Sequence, residues 1–192
     1  MLRQFGAEPK ILPLVKDDSA EISQTLNNLN GVDLLITIGG ASVGDYDLTK
    51  KVLGRLGYNQ KFYKISMRPG KPVFGGLLDK LPVIGLPGNP VSAMVCCQVL
   101  IKPMINKMLG LSFKQPKYQK AILSLPIEKN GIRTHFMRSY ITKHKNGYYV
   151  RPVSKQDSSL LTKLNQSNCL IVRPPRQSKQ NKGDIVNTLS IF

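Results

Sequence analysis

The sequence predicts an α/β unit with a mainly parallel sheet, followed by a small all-β unit of barrel-like form. Three observations lead there. Between Pro9 and Gly110, apolar runs alternate with amphipathic ones, the rhythm of strands exchanged with helices. Past Gly110 the texture changes to short β-like runs separated by Gly, Asn and Lys. A chain of 192 residues with 41% hydrophobic content is long enough to bury either one large core or two small ones.

In order along the chain, PKILPLV (9–15) reads as a strand and DSAEISQTLNNL (18–29) as a helix. Asp18, with Glu21 three residues on, forms a capping box at that helix start. DLLITI (33–38) is a strand, DLTKKVLGRLG (47–57) a helix, and KFYKIS, PVFGG and PVIGLP are further strands. Asn89 followed by Pro90 is an N-cap with proline at the first helical position, opening a helix through Leu109 in which Pro103 marks a kink or the final turns. We place the α/β unit at 1–110, a linker at 111–117 and the β unit at 118–192. In that β unit YQKAILSL, HFMRSYIT, YYVRPV, NCLIVRPP and DIVNTLSIF are strands, and Lys145-Asn146-Gly147 is the hairpin turn. His135, between Arg133 and Phe136 on one of them, reads as a surface residue of its strand.

Charge narrows the partners. With 28 Lys+Arg against 11 Asp+Glu, the formal net charge of +17 favours anions. The bases are scattered without a long run and few aromatics are interleaved, so nucleic acid is not expected. No apolar run is long enough to span a bilayer and the opening MLRQFGAEPK lacks the apolar stretch of a secretory signal, so the expectation is a cytoplasmic protein. Cys96, Cys97 and Cys169 show neither metal-ligand spacing nor a disulfide framework.

Three loops carry the candidate chemistry. TIGGASVGDYD (37–47) follows a buried strand and precedes a helix. Gly39, Gly40 and Gly44 let backbone N–H groups approach an anion and Ser42 supplies a hydroxyl, although the same pattern also fits an ordinary glycine-rich strand-to-helix turn. Asp45 and Asp47 are oxygen ligands suited to Mg²⁺, or caps of the helix that follows. KISMRPGKP (64–72) brings Lys64, Arg68 and Lys71 onto one strand-turn unit bent at Pro69-Gly70, suited to a multiply charged anion or to plain solvation. GLPGNPVS (85–92) places Pro87, Gly88, Asn89, Pro90 and Ser92 at a strand end and a helix start. Ligands of open α/β sheets gather outside such strand ends, so one shared anion site is the economical reading.

At these residues the chain resembles the MoeA and gephyrin E-domain family. TIGGASVGDYD is similar to that family's glycine-rich signature, with Ile38 and Ala41 in place of the more usual Ser and Val; RPGKP resembles KPGKP, with Arg68 for lysine; and GLPGNPVSA is unaltered from the common form. The likeness continues from Asp17 through RPVSKQDSSLLTKLNQSNCLIV (151–172). It implies a MogA-like three-layer domain, incomplete at its N-terminal side because a strand carrying a TGDE-like motif is expected inside the sheet, and a C-terminal β domain. It implies insertion of molybdate into adenylated molybdopterin with release of AMP, aided by Mg²⁺; the alternative is a catalytically inactive module that binds the molybdopterin nucleotide. On this resemblance Asp17 and Asp47 are functional acidic positions and Mg²⁺ ligands, Lys64 and Arg68 a catalytic basic pair, Pro87 and Pro90 site prolines, and Ser158 a contribution from the β domain. A homodimer sharing its active site, and a possible partner supplying further N-terminal domains, are also implied.

Overall fold

The computed structural model describes residues 1–39, 48–112, 117–154, 156 and 167–191. After a short 3₁₀ turn at Arg3–Phe5, helix α1 runs over Ser19–Asn27. Its N-cap is Asp18, whose carboxylate accepts from the N–H groups of Ala20 and Glu21 at 2.8 and 2.9 Å. Glu21 closes the box on a different donor, accepting from Lys16 N at 3.4 Å. Then follow β1 (Leu35–Ile38), α2 (Leu48–Arg55), β2 (Tyr58–Tyr63), the two-residue β3 (Met67–Arg68), β4 (Phe74–Leu78) and β5 (Leu81–Leu86).

Four of these strands form one sheet in the order β1-β5-β4-β2. The expected mainly parallel sheet is not what forms among the described residues: β1–β5 is parallel, but β5–β4 and β4–β2 are antiparallel. The reason is the connection. Only Asp79 and Lys80 separate β4 from β5, Asp79 with φ +52°, and two residues can join only antiparallel neighbours. Gly85 stands opposite Phe74 across that pair, and a Cβ there would sit 1.9 Å from a ring carbon, so the aromatic ring lies flat over the strand only because residue 85 has no side chain. The other departure is PKILPLV, which forms no strand. Its backbone finds no hydrogen-bonded ladder among the described residues.

Alternate residues of the central strands feed opposite faces. Leu35 and Val83 pack with Ile22 and Leu26 of α1 and Val52 and Leu53 of α2. Leu34, Ile36 and Ile84 meet Met94, Val95, Ile101 and Ile105 on the other face. Each fully buried side chain of this kind contributes about 1.5–3 kcal/mol. The second face is covered by a continuous helical stretch: α3 (Pro90–Cys96), a π turn over Cys97–Ile101 and α4 (Lys102–Met108). The wide turn lies just before Pro103, which has no N–H to donate and whose ring crowds the carbonyl one turn back.

The remaining strands are β6 (Gln119–Leu123), β7 (Thr134–His144), β8 (Gly147–Pro152), β9 (Cys169–Arg173) and β10 (Ile185–Ser190). They close on themselves in the order β7-β8-β6-β10-β9, with β9 returning to β7, into a five-strand barrel around Leu123, Met137, Val150, Ile171 and Val186. The β7–β8 hairpin turns through Lys145 and Asn146, with His144 opposite Gly147 and φ +127° at the glycine. Barrel and sheet are stitched together: β3 pairs in parallel with β7, Met67 opposite Thr134 and Arg68 opposite His135. Phe136, Leu170 and Ile191 of the barrel join the core cluster containing Met67, Val73 and Met94.

Candidate anion-binding site

The loops singled out by the sequence converge in pairs. At the end of β5, Pro87 is buried, and Asn89 caps α3 by accepting from Val91 N and Ser92 N, both at 3.1 Å, while Ser92 Oγ donates to the same oxygen at 3.4 Å. Gly39 N donates to Leu86 O at 3.1 Å, and a Cβ on Gly88 would lie 3.4 Å from the Gly39 Cα, so the ends of β1 and β5 touch. The third loop packs against α3 at Cys96. After a cis Arg68-Pro69 peptide, Gly70 adopts φ +104°, and a Cβ there would be 2.6 Å from Cys96 Sγ; only glycine allows the turn this close to the helix.

Between that turn, the start of α3 and the barrel lies a cavity of about 540 Å³. The turn contributes Arg68, Pro69, Gly70, Lys71 and Pro72, the helix Val91 and Ser92, and the barrel side Arg133, His135, Phe136, Arg138 and Gln156. Among the described residues, four of the lining side chains are cations and none is a carboxylate. Arg138 is 2% exposed, and its backbone is gripped by Gln156: Oε1 accepts from Arg138 N at 3.0 Å and Nε2 donates to Arg138 O at 2.9 Å. Arg133 donates to Met67 O at 3.5 Å, across the β3–β7 junction.

His135 is buried, not the surface residue its strand position suggested. Burial, followed by the positive charges of Arg68, Arg173 and Arg133, pushes its pKa down to about 4, so the ring is neutral near pH 7. A neutral imidazole adds a hydrogen-bonding group without adding to the crowded positive charge. The whole arrangement suits a compact, multiply charged oxyanion, which charge-assisted hydrogen bonds from guanidinium and ammonium groups would hold.

Of the candidate residues, Arg68, Lys71 and Ser92 line the cavity. Gly39, Pro87, Gly88, Asn89 and Pro90 shape the adjoining loops and the helix start without lining it. Lys64 is exposed, has φ +63° and holds its ammonium 4.7 Å from the Tyr63 ring centroid, away from the lining. Asp17 is exposed just ahead of α1 and takes no part in the lining. Gly40, Ser42, Gly44, Asp45, Asp47 and Ser158 lie outside the described residues. Sequence reading missed the roles of Arg133, Phe136, Arg138 and Gln156. A faint signal existed for one: Arg138 falls in the apolar run HFMRSYI, where a lone guanidinium needs a purpose.

Among the described residues Mg²⁺ finds no donor set, the expected ligand Asp47 lying outside them. Among the described residues no three His, Cys, Asp or Glu side chains gather as a cation would need, and the lining offers only positive and neutral groups. A second groove of about 680 Å³ on the outer face of the β7–β8 hairpin, between Tyr140, Tyr149 and Arg151, shares none of the three loops.

Comparison with known proteins identifies the family. Residues 1–107 match the family described as probable molybdopterin binding domain, and residues 120–191 match the MoeA C-terminal region, domain IV. The chain belongs to the MoeA family. Among its MoeA-type relatives, the molybdopterin molybdenumtransferase of Haemophilus influenzae is 35% identical over 189 residues, covering 97% of this chain and 46% of the relative. That of a Nostoc species is 30% identical over 203 residues, covering 100% of this chain and 45% of the relative. The crystal structure of the MoeA protein of Pyrococcus horikoshii OT3 superposes with a TM-score of 0.70 at 26% identity, over 98% of this chain and 44% of that one. The chain therefore spans a little under half the length of the MoeA proteins it matches. No helix among the described residues is long and apolar enough to cross a membrane.

Proposed function

We propose that this chain works in molybdenum cofactor biosynthesis as the oxyanion-holding part of a molybdopterin molybdenumtransferase, an enzyme that brings molybdate to adenylated molybdopterin and releases AMP. One observation carries the reading: among the described residues, four cations and no carboxylate line a cavity where a glycine turn, a helix start and the barrel meet. Molybdate is a compact dianion and adenylated molybdopterin presents a phosphoanhydride, and both are matched by this charge. Lys71 and Arg68 lie on the turn and are suited to grip an oxyanion from one side, while Arg133 and Arg138 face it from the barrel. As the anhydride breaks and AMP leaves, negative charge grows on phosphate oxygens, and fixed cations lower the cost of that growth. His135, neutral, is placed to hydrogen-bond the same oxygens. Gly40, Ser42 and Gly44 would hold the nucleotide phosphate through backbone N–H groups, with Gly39, whose own N–H donates to Leu86 O, setting the turn and Asp47 and Ser158 completing the site.

The test is AMP release from adenylated molybdopterin by the purified chain with molybdate and Mg²⁺, beside Lys71→Ala and Asp47→Ala variants. Molybdate-dependent release lost in both variants supports the transferase. Saturable nucleotide binding without release supports the second reading, a binding module without chemistry. A homodimer that shares its site and a cytoplasmic location belong to the same proposal, the former checked by light scattering.

A further inference from the structure

We infer that the outer face of the β7–β8 hairpin is a second ligand site, taking a planar aromatic ring that carries a phosphate, with the size and charge of a free mononucleotide. The inference stands apart from the anion cavity and does not rest on it. Barrel strands turn alternate side chains inward and outward. Val150 is buried in the barrel, with Ile141 and Tyr148 packed against its core, so Tyr140, Thr142 and His144 of β7 share the outer face with Tyr149 and Arg151 of β8. Register sets them side by side: Tyr140 lies opposite Arg151, Thr142 opposite Tyr149, and His144 opposite Gly147. Opposed positions of an antiparallel pair stand about 5 Å apart, so rings and a guanidinium form one surface.

Shape, order and charge set this face apart from an ordinary solvated wall. It is concave, and its volume of about 680 Å³ falls in the range of small-molecule sites. Its side chains are fixed against one another: the His144 and Tyr149 rings meet edge to face with centroids 5.1 Å apart, and His144 Nε2 lies 3.1 Å from Thr142 Oγ1. Its charge has one sign, since Lys145 and Arg151 line it and, among the described residues, no carboxylate does. Neither cation is held in an ion pair among those residues, and Tyr140 beside them is 50% exposed. Nucleobases stack on such rings, and guanidinium and ammonium groups take the phosphate. A peptide strand is a poorer occupant because it needs a free edge. β8 lies between β7 and β6, and Asn168 covers the other edge of β7, accepting from Ile141 N at 2.8 Å and donating to Ile141 O at 3.0 Å. From Tyr140 to His144 the strand runs about 13 Å, the reach of one nucleotide and not of a polymer track.

The experiment titrates the 192-residue protein with AMP as the probe, by calorimetry, beside adenosine, inorganic phosphate and a short oligothymidylate. AMP should saturate a site with a Kd below about 1 mM, and adenosine and phosphate, each lacking half of the contacts, should bind at least about tenfold more weakly. Tyr140→Ala and Arg151→Gln change exposed side chains, so both variants should melt with the parent, yet each should weaken AMP by about tenfold. Tyr140→Phe keeps the ring and should bind AMP as the parent does, and Lys71→Ala should leave this site unchanged. Absence of saturation by AMP, or AMP binding indifferent to Tyr140→Ala and Arg151→Gln, overturns the inference. AMP binding lost in Lys71→Ala alone also overturns it, placing the nucleotide in the anion cavity. Oligothymidylate bound where AMP is not overturns it as well, assigning the face to a nucleic-acid strand.

Discussion

Lys71 is exposed and stands on a rigid turn, so replacing it should leave the fold intact and weaken anion binding. Lys71→Ala should weaken molybdate binding by about 1–2 kcal/mol, roughly a tenfold rise in Kd by calorimetry. Gly70→Ala acts differently, because it forces a Cβ against Cys96 Sγ at φ +104°. It should destabilise the protein by about 1–3 kcal/mol in urea unfolding and displace the turn as well. His135 ties the site to pH. Its pKa is about 4 in the folded protein against 6.5 ordinarily, so between those values the unfolded chain binds more protons and folding stability falls as pH drops. The contribution is complete above about pH 7, and its loss by pH 4 is worth roughly 1–3 kcal/mol. A His135→Gln variant should show a shallower fall over that window, measured as the difference between the two urea-unfolding curves. At this scale Lys71, Arg68 and Ser92 were legible because they sit in compact motifs. Arg138 and Gln156 were not, since their meeting depends on a loop folding back on β7, a long-range event that leaves no local pattern.

At the scale of elements, the cap of α3 is local enough to read from Asn89-Pro90, and the structure forms it with two backbone donors on one oxygen. Asn89→Ala should cost about 1 kcal/mol, seen as a fall of roughly 2–4 °C in the melting temperature. The strands β1, β5 and β7 and the Lys145-Asn146 turn were equally legible, since period and turn chemistry are short-range. Strand direction was not. Reading PVFGG and PVIGLP as two strands left open the two-residue link that forces them antiparallel, and the alternation of strands with helices pointed the wrong way. PKILPLV failed for a related reason: strand propensity does nothing without a neighbour to complete the ladder, and none is present among the described residues.

At the scale of the whole molecule, sheet and barrel share one core cluster through Met67, Phe136, Leu170 and Ile191. The protein should therefore melt in a single calorimetric transition. Met67→Ala, at a position 2% exposed, should cost about 2–5 kcal/mol and lower that one transition rather than split it. A saturating anion should raise the transition, by about 2.7 kcal/mol of stability at a hundred times its Kd. The join at β3–β7 has a consequence for the life of the chain. A ribosome delivers the basic turn at residues 68–72 some sixty residues before Arg133 and Arg138, and domains fold as they emerge. A half-made chain thus carries the positive charge of the turn before the barrel side of the pocket exists.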